Sequence, residues 1–226
     1  MNSVMPSACT TQQPRAFDRA TLELARRRLS RADPKIRTII RGVGPCTLRT
    51  RPLGNHLTAL VRSIVFQQLS GKAASTIFHR LLSLVPKRAS ASDYLRLSDE
   101  SLRQAGLSRP KIVYLRDLCT KIDNRSLRLD RIGSRTDIEV EQDLVQVRGF
   151  GRWSAHMFLL FQLRRPDVWP VDDLGIRKAL RLLDGLDSLP SAKTIAYRAE
   201  PWRPFRSVAA WYLWRSLETE VPADFG

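Results

Sequence analysis

The stretch LVQVRGFGRWSAHMFLLFQLRRPDVWPVDDLGIR, residues 144–177, decides how the rest of this 226-residue chain is read. Two apolar runs of helical character flank Gly149-Phe150-Gly151, and Pro170-Val171-Asp172-Asp173 follows, with Asp173 twenty positions past Trp153. Glycine accepts backbone angles that a Cβ forbids, so a Gly-x-Gly joint brings two helices together at a sharp angle. Residues 151–154 start the second of those helices. Its first amides lack partners within the helix and carry partial positive charge, which makes the joint a nook for one anionic oxygen, such as that of a phosphate. Taken alone, the same three residues are an ordinary helix–helix turn.

Bulk properties narrow the partner. Thirty-eight Lys and Arg against twenty-two Asp and Glu give a net charge of +16, which favours a polyanion such as nucleic acid; a ribosomal or acidic-membrane role is the rival reading. The 43% hydrophobic content specifies a folded chain, long enough for one full core or two small lobes sharing an interface. Cys9, Cys46 and Cys119 lie far apart, without the spacing of a disulfide framework or zinc site, as suits a reducing cytoplasm. No apolar run approaches membrane-spanning length, and the polar residues 1–15 lack the hydrophobic core of a signal peptide. The expectation is a soluble cytoplasmic protein, nucleoid-associated in a bacterium or nuclear in a eukaryote.

Periodicity and capping residues predict helices throughout and no convincing strand. After a flexible tail over 1–15, helices are expected over 16–31, 34–41, 55–66 and 71–84, the last capped by Ser70. Two short ones follow over 91–97 and 99–105, stopped by Gly106, and a longer one opens after Ser108. Residues 124–135 read as a loop. Thr136-Asp137-Ile138-Glu139 then opens the first hairpin helix with carboxylates suited to a helix N-terminus. Residues 155–163 are almost wholly apolar and form the buried central helix, in which His156, with no second histidine or cysteine near it, is a core or pocket residue. Further helices are expected after Asp173, over 191–200 and over 204–217. Trp169, Trp202 and Trp211 read as packing residues. By pattern alone, Gln67-Gln68-Leu69 is an exposed turn and Asp173 a helix cap.

The Gly-Phe-Gly joint with its preceding Leu144, Val145 and Val147, then Trp153-Ser154-Ala155 and Pro-Val-Asp-Asp, together resemble the helix-hairpin-helix DNA glycosylases with a Gly/Pro-Asp loop. The resemblance runs from about Pro45 to Trp214 and is to the alkylation-repair branch, the bacterial 3-methyladenine glycosylase II and yeast alkyladenine types. It includes Ser108, Lys111, Tyr114 and Leu115, which match that family's Ser-x-x-Lys-x-x-Tyr-Leu segment and mostly pack. It implies an all-α fold of two helical lobes with the DNA and base cleft between them, one lobe over about 60–160 and the other from 16–59 plus 161–226. The mixed α/β domain of larger bacterial relatives is expected to be absent, as is the iron-sulfur cluster of endonuclease III-type relatives, because their four-cysteine motif is missing. The partner implied is double-stranded DNA carrying damaged bases, met by a monomer.

The resemblance also implies roles. Asp173 is the essential carboxylate, with Asp172 the second choice, and Trp153, Trp214 and Met157 line the base pocket. Gln67, Gln68 and Leu69 form the turn that enters the minor groove, Gln68 filling the gap left by a flipped nucleotide. Gly149, Gly151, Arg152 and Ser154 meet the backbone phosphate, and the carbonyls of Val145, Val147 and Phe150 hold a monovalent cation, Na+ or K+. Bifunctional relatives carry a lysine where Trp153 stands; a tryptophan cannot form their Schiff base, so a monofunctional enzyme is implied. Two other readings stay open at this point: a glycosylase for deaminated or mismatched bases, and a non-catalytic helix-hairpin-helix DNA-binding protein.

Overall fold

A computed structural model describes residues 16–52 and 54–217, so the tail expected over 1–15 lies outside the described residues. Every regular element among them is helical. Helix α1 (Arg19–Ala32) is started by Asp18, whose carboxylate accepts from the Thr21 N–H at 2.7 Å, and it buries Leu22, Ala25 and Leu29. Helix α2 (Pro34–Val43) begins with Pro34 in the first turn, where its missing N–H is not needed. Then come α3 (His56–Phe66), α4 (Gly71–Ser83), α5 (Ala91–Leu95), α6 (Asp99–Gln104) and α7 (Arg109–Asp123). The hairpin follows as α8 (Asp137–Val145) and α9 (Arg152–Met157), and the chain ends in α10 (Leu174–Asp184), α11 (Ala192–Arg198) and α12 (Arg206–Ser216).

Helices α3–α7 pack among themselves, and so do α1, α2, α10 and α12. Residues 158–162 join the two groups: they continue α9 and pack on α3, while Phe161 stacks on Trp214 of α12. One continuous apolar core runs through both. Helix α12 buries every residue from Ser207 to Trp214, and a helix apolar all round is a core element.

Where sequence and structure differ, the reasons are local. The predicted 16–31 helix starts three residues later, because Asp18 is its cap. Ser70 does precede α4, but its side chain makes no capping bond. The 191–200 helix stops at Arg198 and gives way to a short 3-10 turn, Glu200–Trp202, since Pro201 has no N–H to continue an α-helix. The buried run widens at Phe158–Gln162 into a π-turn, in which the Leu163 N–H reaches back five residues to the Phe158 carbonyl at 3.0 Å. Cys46 and Cys119 are free thiols, and burial pushes each up to about 12. No described helix is long and apolar enough to cross a membrane.

Asp33 fastens one helix group to itself. Its N–H caps the end of α1 through the Leu29 carbonyl, while its Oδ1 accepts from the Lys35 and Ile36 amides that begin α2. Its Oδ2 accepts from Trp202 Nε1 at 3.0 Å and pairs with Arg198 Nη1 at 2.6 Å. Burial raises the carboxyl's pKa, but the bonds and charge of Arg198 outweigh it and hold the group below its ordinary 3.8. A depressed carboxylate stabilises the fold fully above its unfolded value and loses that contribution as pH falls through the folded value. Asp33→Ala is expected to remove about 3 kcal/mol from the free energy of unfolding in urea at neutral pH. The difference from wild type should shrink as the titration is repeated below pH 4.

Candidate active site at the hairpin and the Asp173 turn

The hairpin is built outward from a capping box. Thr136 accepts from the Glu139 N–H while the Glu139 carboxylate accepts from the Thr136 N–H, fixing the start of α8. The joint that follows rests on α7. Asp117 Oδ2 accepts from the Arg148 N–H at 2.8 Å, and the Tyr114 ring lies directly beneath Gly149. Gly149 sits at φ +81°, and a Cβ there would come within 2.3 Å of the ring. The second glycine differs: Gly151 has φ −107°, an angle any residue adopts, and a Cβ there would meet nothing within 4 Å. Only Gly149 therefore makes the turn. Gly151 leaves the start of α9 without a side-chain cap.

The other residues of the turn divide between surface and interior. Arg152 is half exposed, its Nε donating to Glu141 Oε1 at 2.9 Å, whereas Ser154 is buried. Glu141 Oε2 also meets His156 Nε2 at 2.8 Å. Burial lowers the His156 pKa, so the ring is neutral at pH 7; its Nδ1 is buried with no partner among the described residues. Val147 and Phe150 are buried and Val145 partly so, and the Val147 carbonyl already accepts from the Phe150 N–H at 3.0 Å.

The turn after α3 reaches the hairpin. Gln67 turns toward the hairpin and donates from Nε2 to the Gly149 carbonyl at 2.9 Å, across 82 positions of sequence. Gln68 faces solvent at φ +58°, a left-handed angle rare for a residue with a side chain, and Leu69 beside it is exposed. Lys111 of α7 supports this turn from below, its Nζ meeting the Val65 carbonyl at 2.6 Å.

Asp173 is the buried member of the acidic pair, and Asp172 is exposed. Asp173 caps α10: its Oδ1 accepts from the Ile176 N–H at 2.8 Å. The same oxygen accepts from Trp214 Nε1 at 2.9 Å, and Oδ2 accepts from Trp153 Nε1 at 2.7 Å. Helix cap and site carboxylate are thus one residue. Trp153 is partly buried at the start of α9. Trp214 is 3% exposed with its ring stacked on Phe161, and Met157, expected in the base pocket, is fully enclosed and faces no opening in this structure. Trp169, Trp202 and Trp211 are buried, the first two in an edge-to-face pair.

Sequence reasoning singled out Asp173, Trp153, Trp214 and the hairpin, and the structure brings them together. It missed Asp117 as the anchor of Arg148, Gln67 as a strut to Gly149, and Gly175, whose absent Cβ would crowd Asp173 and Trp214. A carboxylate six residues past Lys111 on the same helix was the available signal for the first.

A buried carboxylate flanked by indoles beside a glycine-made hairpin defines a class. The model of the HhH-GPD superfamily of base excision DNA repair proteins matches residues 61–204, and the chain belongs to that family. It is 34% identical over 165 residues to the DNA-3-methyladenine glycosylase 1 of Schizosaccharomyces pombe, with 70% of each chain covered. Among solved structures it is similar to the 3-methyladenine DNA glycosylase of that yeast in complex with abasic DNA, with a TM-score of 0.77 and 30% identity over 90% of this chain and 99% of that one. The DNA-3-methyladenine glycosidase of Bacillus halodurans gives a TM-score of 0.77 and 33% identity, covering 89% and 92%.

Gly149→Ala tests the seat of the hairpin. The Cβ both strains a left-handed backbone and displaces Tyr114, so unfolding free energy should fall by about 2–3 kcal/mol. In a double-mutant cycle with Tyr114→Ala the steric part should vanish, leaving a coupling energy of about 1 kcal/mol or more.

Proposed function

We propose that the protein is a monofunctional DNA glycosylase that flips alkylated purines such as 3-methyladenine and 7-methylguanine out of duplex DNA and hydrolyses the N-glycosidic bond, leaving an abasic site. The observation that carries this reading is the Asp173 carboxylate, buried next to the hairpin with both oxygens hydrogen-bonded. Alkylation at a purine ring nitrogen makes the base cationic and a good leaving group, so the chemistry asks little beyond one well-placed anion. As the bond stretches, positive charge builds on the sugar, and a carboxylate in a water-poor site stabilises it and orients the incoming water. Beside it stands Trp153, whose indole carries no amine to attack the sugar, which supports hydrolysis without strand cleavage.

The other site residues take their roles around this centre. Gln68, held outward in a left-handed conformation, is the wedge that fills the gap left by the extruded nucleotide, with Leu69 beside it; Gln67 braces the turn from within. The uncapped amides after Gly151 and the half-exposed Arg152 grip a backbone phosphate. Trp153 offers the aromatic face on which an electron-poor alkylated base stacks. The carbonyls of Val145, Val147 and Phe150 are neutral oxygen donors at a helix end and its turn, a set suited to a monovalent cation, which would offset negative charge next to the phosphate. The partner is double-stranded DNA.

Wild-type protein is expected to release alkylated purines from methylated duplex DNA, measured by chromatography of the free bases. Asp173→Asn keeps a capping side chain and should fold, yet slow release by about 100-fold or more. Near wild-type release by that variant would remove Asp173 from the mechanism, and excision of uracil or hypoxanthine alone would favour the deaminated-base reading. Affinity for duplex DNA should fall steeply with salt, with a slope of log K on log salt that grows by about 0.9 for each phosphate neutralised.

A further inference from the structure

Three observations converge on the contact between Trp214 and Asp173. The indole Nε1 donates to Oδ1 at 2.9 Å, the same oxygen that accepts from the Ile176 amide. The indole ring is itself held, stacked on Phe161 with centroids 5.9 Å apart and planes 22° from parallel. Lastly, Gly175 lies in the first turn of α10 without a left-handed backbone that would call for glycine, and glycine is a poorer helix former than alanine. Its reason is spatial: a Cβ at that position would stand 3.1 Å from Asp173 Oδ1 and 3.1 Å from Trp214 Cδ1. A side chain there would oblige the indole or the carboxylate to give by a few tenths of an ångström, at the contact that sets their hydrogen bond.

Trp214 is 3% exposed, and Phe161 is stacked against its ring. We infer that Trp214 is a positioning residue for catalysis, acting through Asp173 by fixing the direction of its carboxylate. The inference rests on the reading of Asp173 as the carboxylate that stabilises the transition state. Oδ1 is held by two donors from the protein's interior, while Oδ2 is held by Trp153 alone, the more exposed of the two indoles. Trp214 and the α10 amide therefore set the side-chain torsion, and Oδ2 is the oxygen that can exchange its partner for the sugar. Without the Trp214 N–H, the carboxylate keeps its cap bond but gains rotational freedom about it, and misplacement of a reacting group slows the chemical step without weakening binding.

Trp214→Phe keeps an aromatic ring on Phe161 and deletes only the N–H and the second ring. Single-turnover release of alkylated base should fall about 10- to 100-fold, while affinity for a duplex bearing a tetrahydrofuran abasic analogue stays within about twofold and the ratio of 3-methyladenine to 7-methylguanine released is unchanged. In an Asp173→Asn background the same substitution should add no further loss. A retained rate, a weakened abasic complex, an altered lesion ratio or an undiminished loss in the Asp173→Asn background would each overturn the inference. The indole 15N–1H resonance of Trp214 gives a test that needs neither turnover nor a folded Trp214→Phe chain. It should move upfield in Asp173→Asn, and a resonance that does not move refutes the contact. If the wild type releases no alkylated purine, the proposed function falls, and this resonance still decides whether Trp214 holds the carboxylate.

Discussion

The close approach of the Tyr114 ring to the Gly149 backbone is the constraint on which the DNA-facing side depends. It fixes where the hairpin turn sits on α7, and two hydrogen bonds hold it there: Asp117 to the Arg148 amide on one side, Gln67 to the Gly149 carbonyl on the other. Once the turn is seated, α9 starts at a set point, and Trp153 in its first turn meets Asp173 at 2.7 Å. Helix α7, through Lys111, also holds the end of α3 from which the Gln68 turn projects. One face of α7 thus registers the wedge, the phosphate nook and the carboxylate against each other. Hydrogen bonds of this kind each contribute on the order of 1 kcal/mol, but their value here is geometric, because reacting groups tolerate little displacement.

Much of this was legible before any coordinates. Capping residues such as Thr136 with Glu139, and Asp173 ahead of α10, mark helix starts by a local mechanism, and the structure uses them in that way. The apolar run from Ala155 to Leu163 could only be interior. What escaped is non-local. A glycine in a pattern does not disclose whether it serves a backbone angle, as at Gly149, or a neighbour's approach, as at Gly175, because the neighbour lies 39 positions away in sequence. Gly151 looked equivalent to Gly149 and is not. The π-turn at Phe158–Gln162 left no trace in periodicity, since an all-apolar segment has no polar face whose phase can be seen to slip. Nor did composition distinguish the tryptophan stacked on Phe161 from the partly buried one at the start of α9.

Burial also sorted residues that motif matching had grouped together. Gln67 and Gln68 are adjacent and chemically identical, yet one amide braces the hairpin and the other faces solvent. Asp172 and Asp173 separate in the same way, one exposed and one enclosed between two indoles. In each pair the backbone makes the choice: a left-handed step at Gln68 and a helix start at Asp173 turn consecutive side chains in different directions.

Active sites commonly hold their reactive groups at the expense of the fold, so that disabling the chemistry relaxes the protein. The double duty of Asp173 removes that tension. Its Oδ1 satisfies the Ile176 amide that α10 would otherwise leave open, and both oxygens quench indole N–H groups that would be costly to bury alone. The carboxylate that would serve the reaction is therefore a member of the structure's own hydrogen-bond economy, and a substitution that removes both of its oxygens loses cap and chemistry together. Selection for mere foldedness would guard a capping side chain at this position even in a lineage where the lesion had become rare.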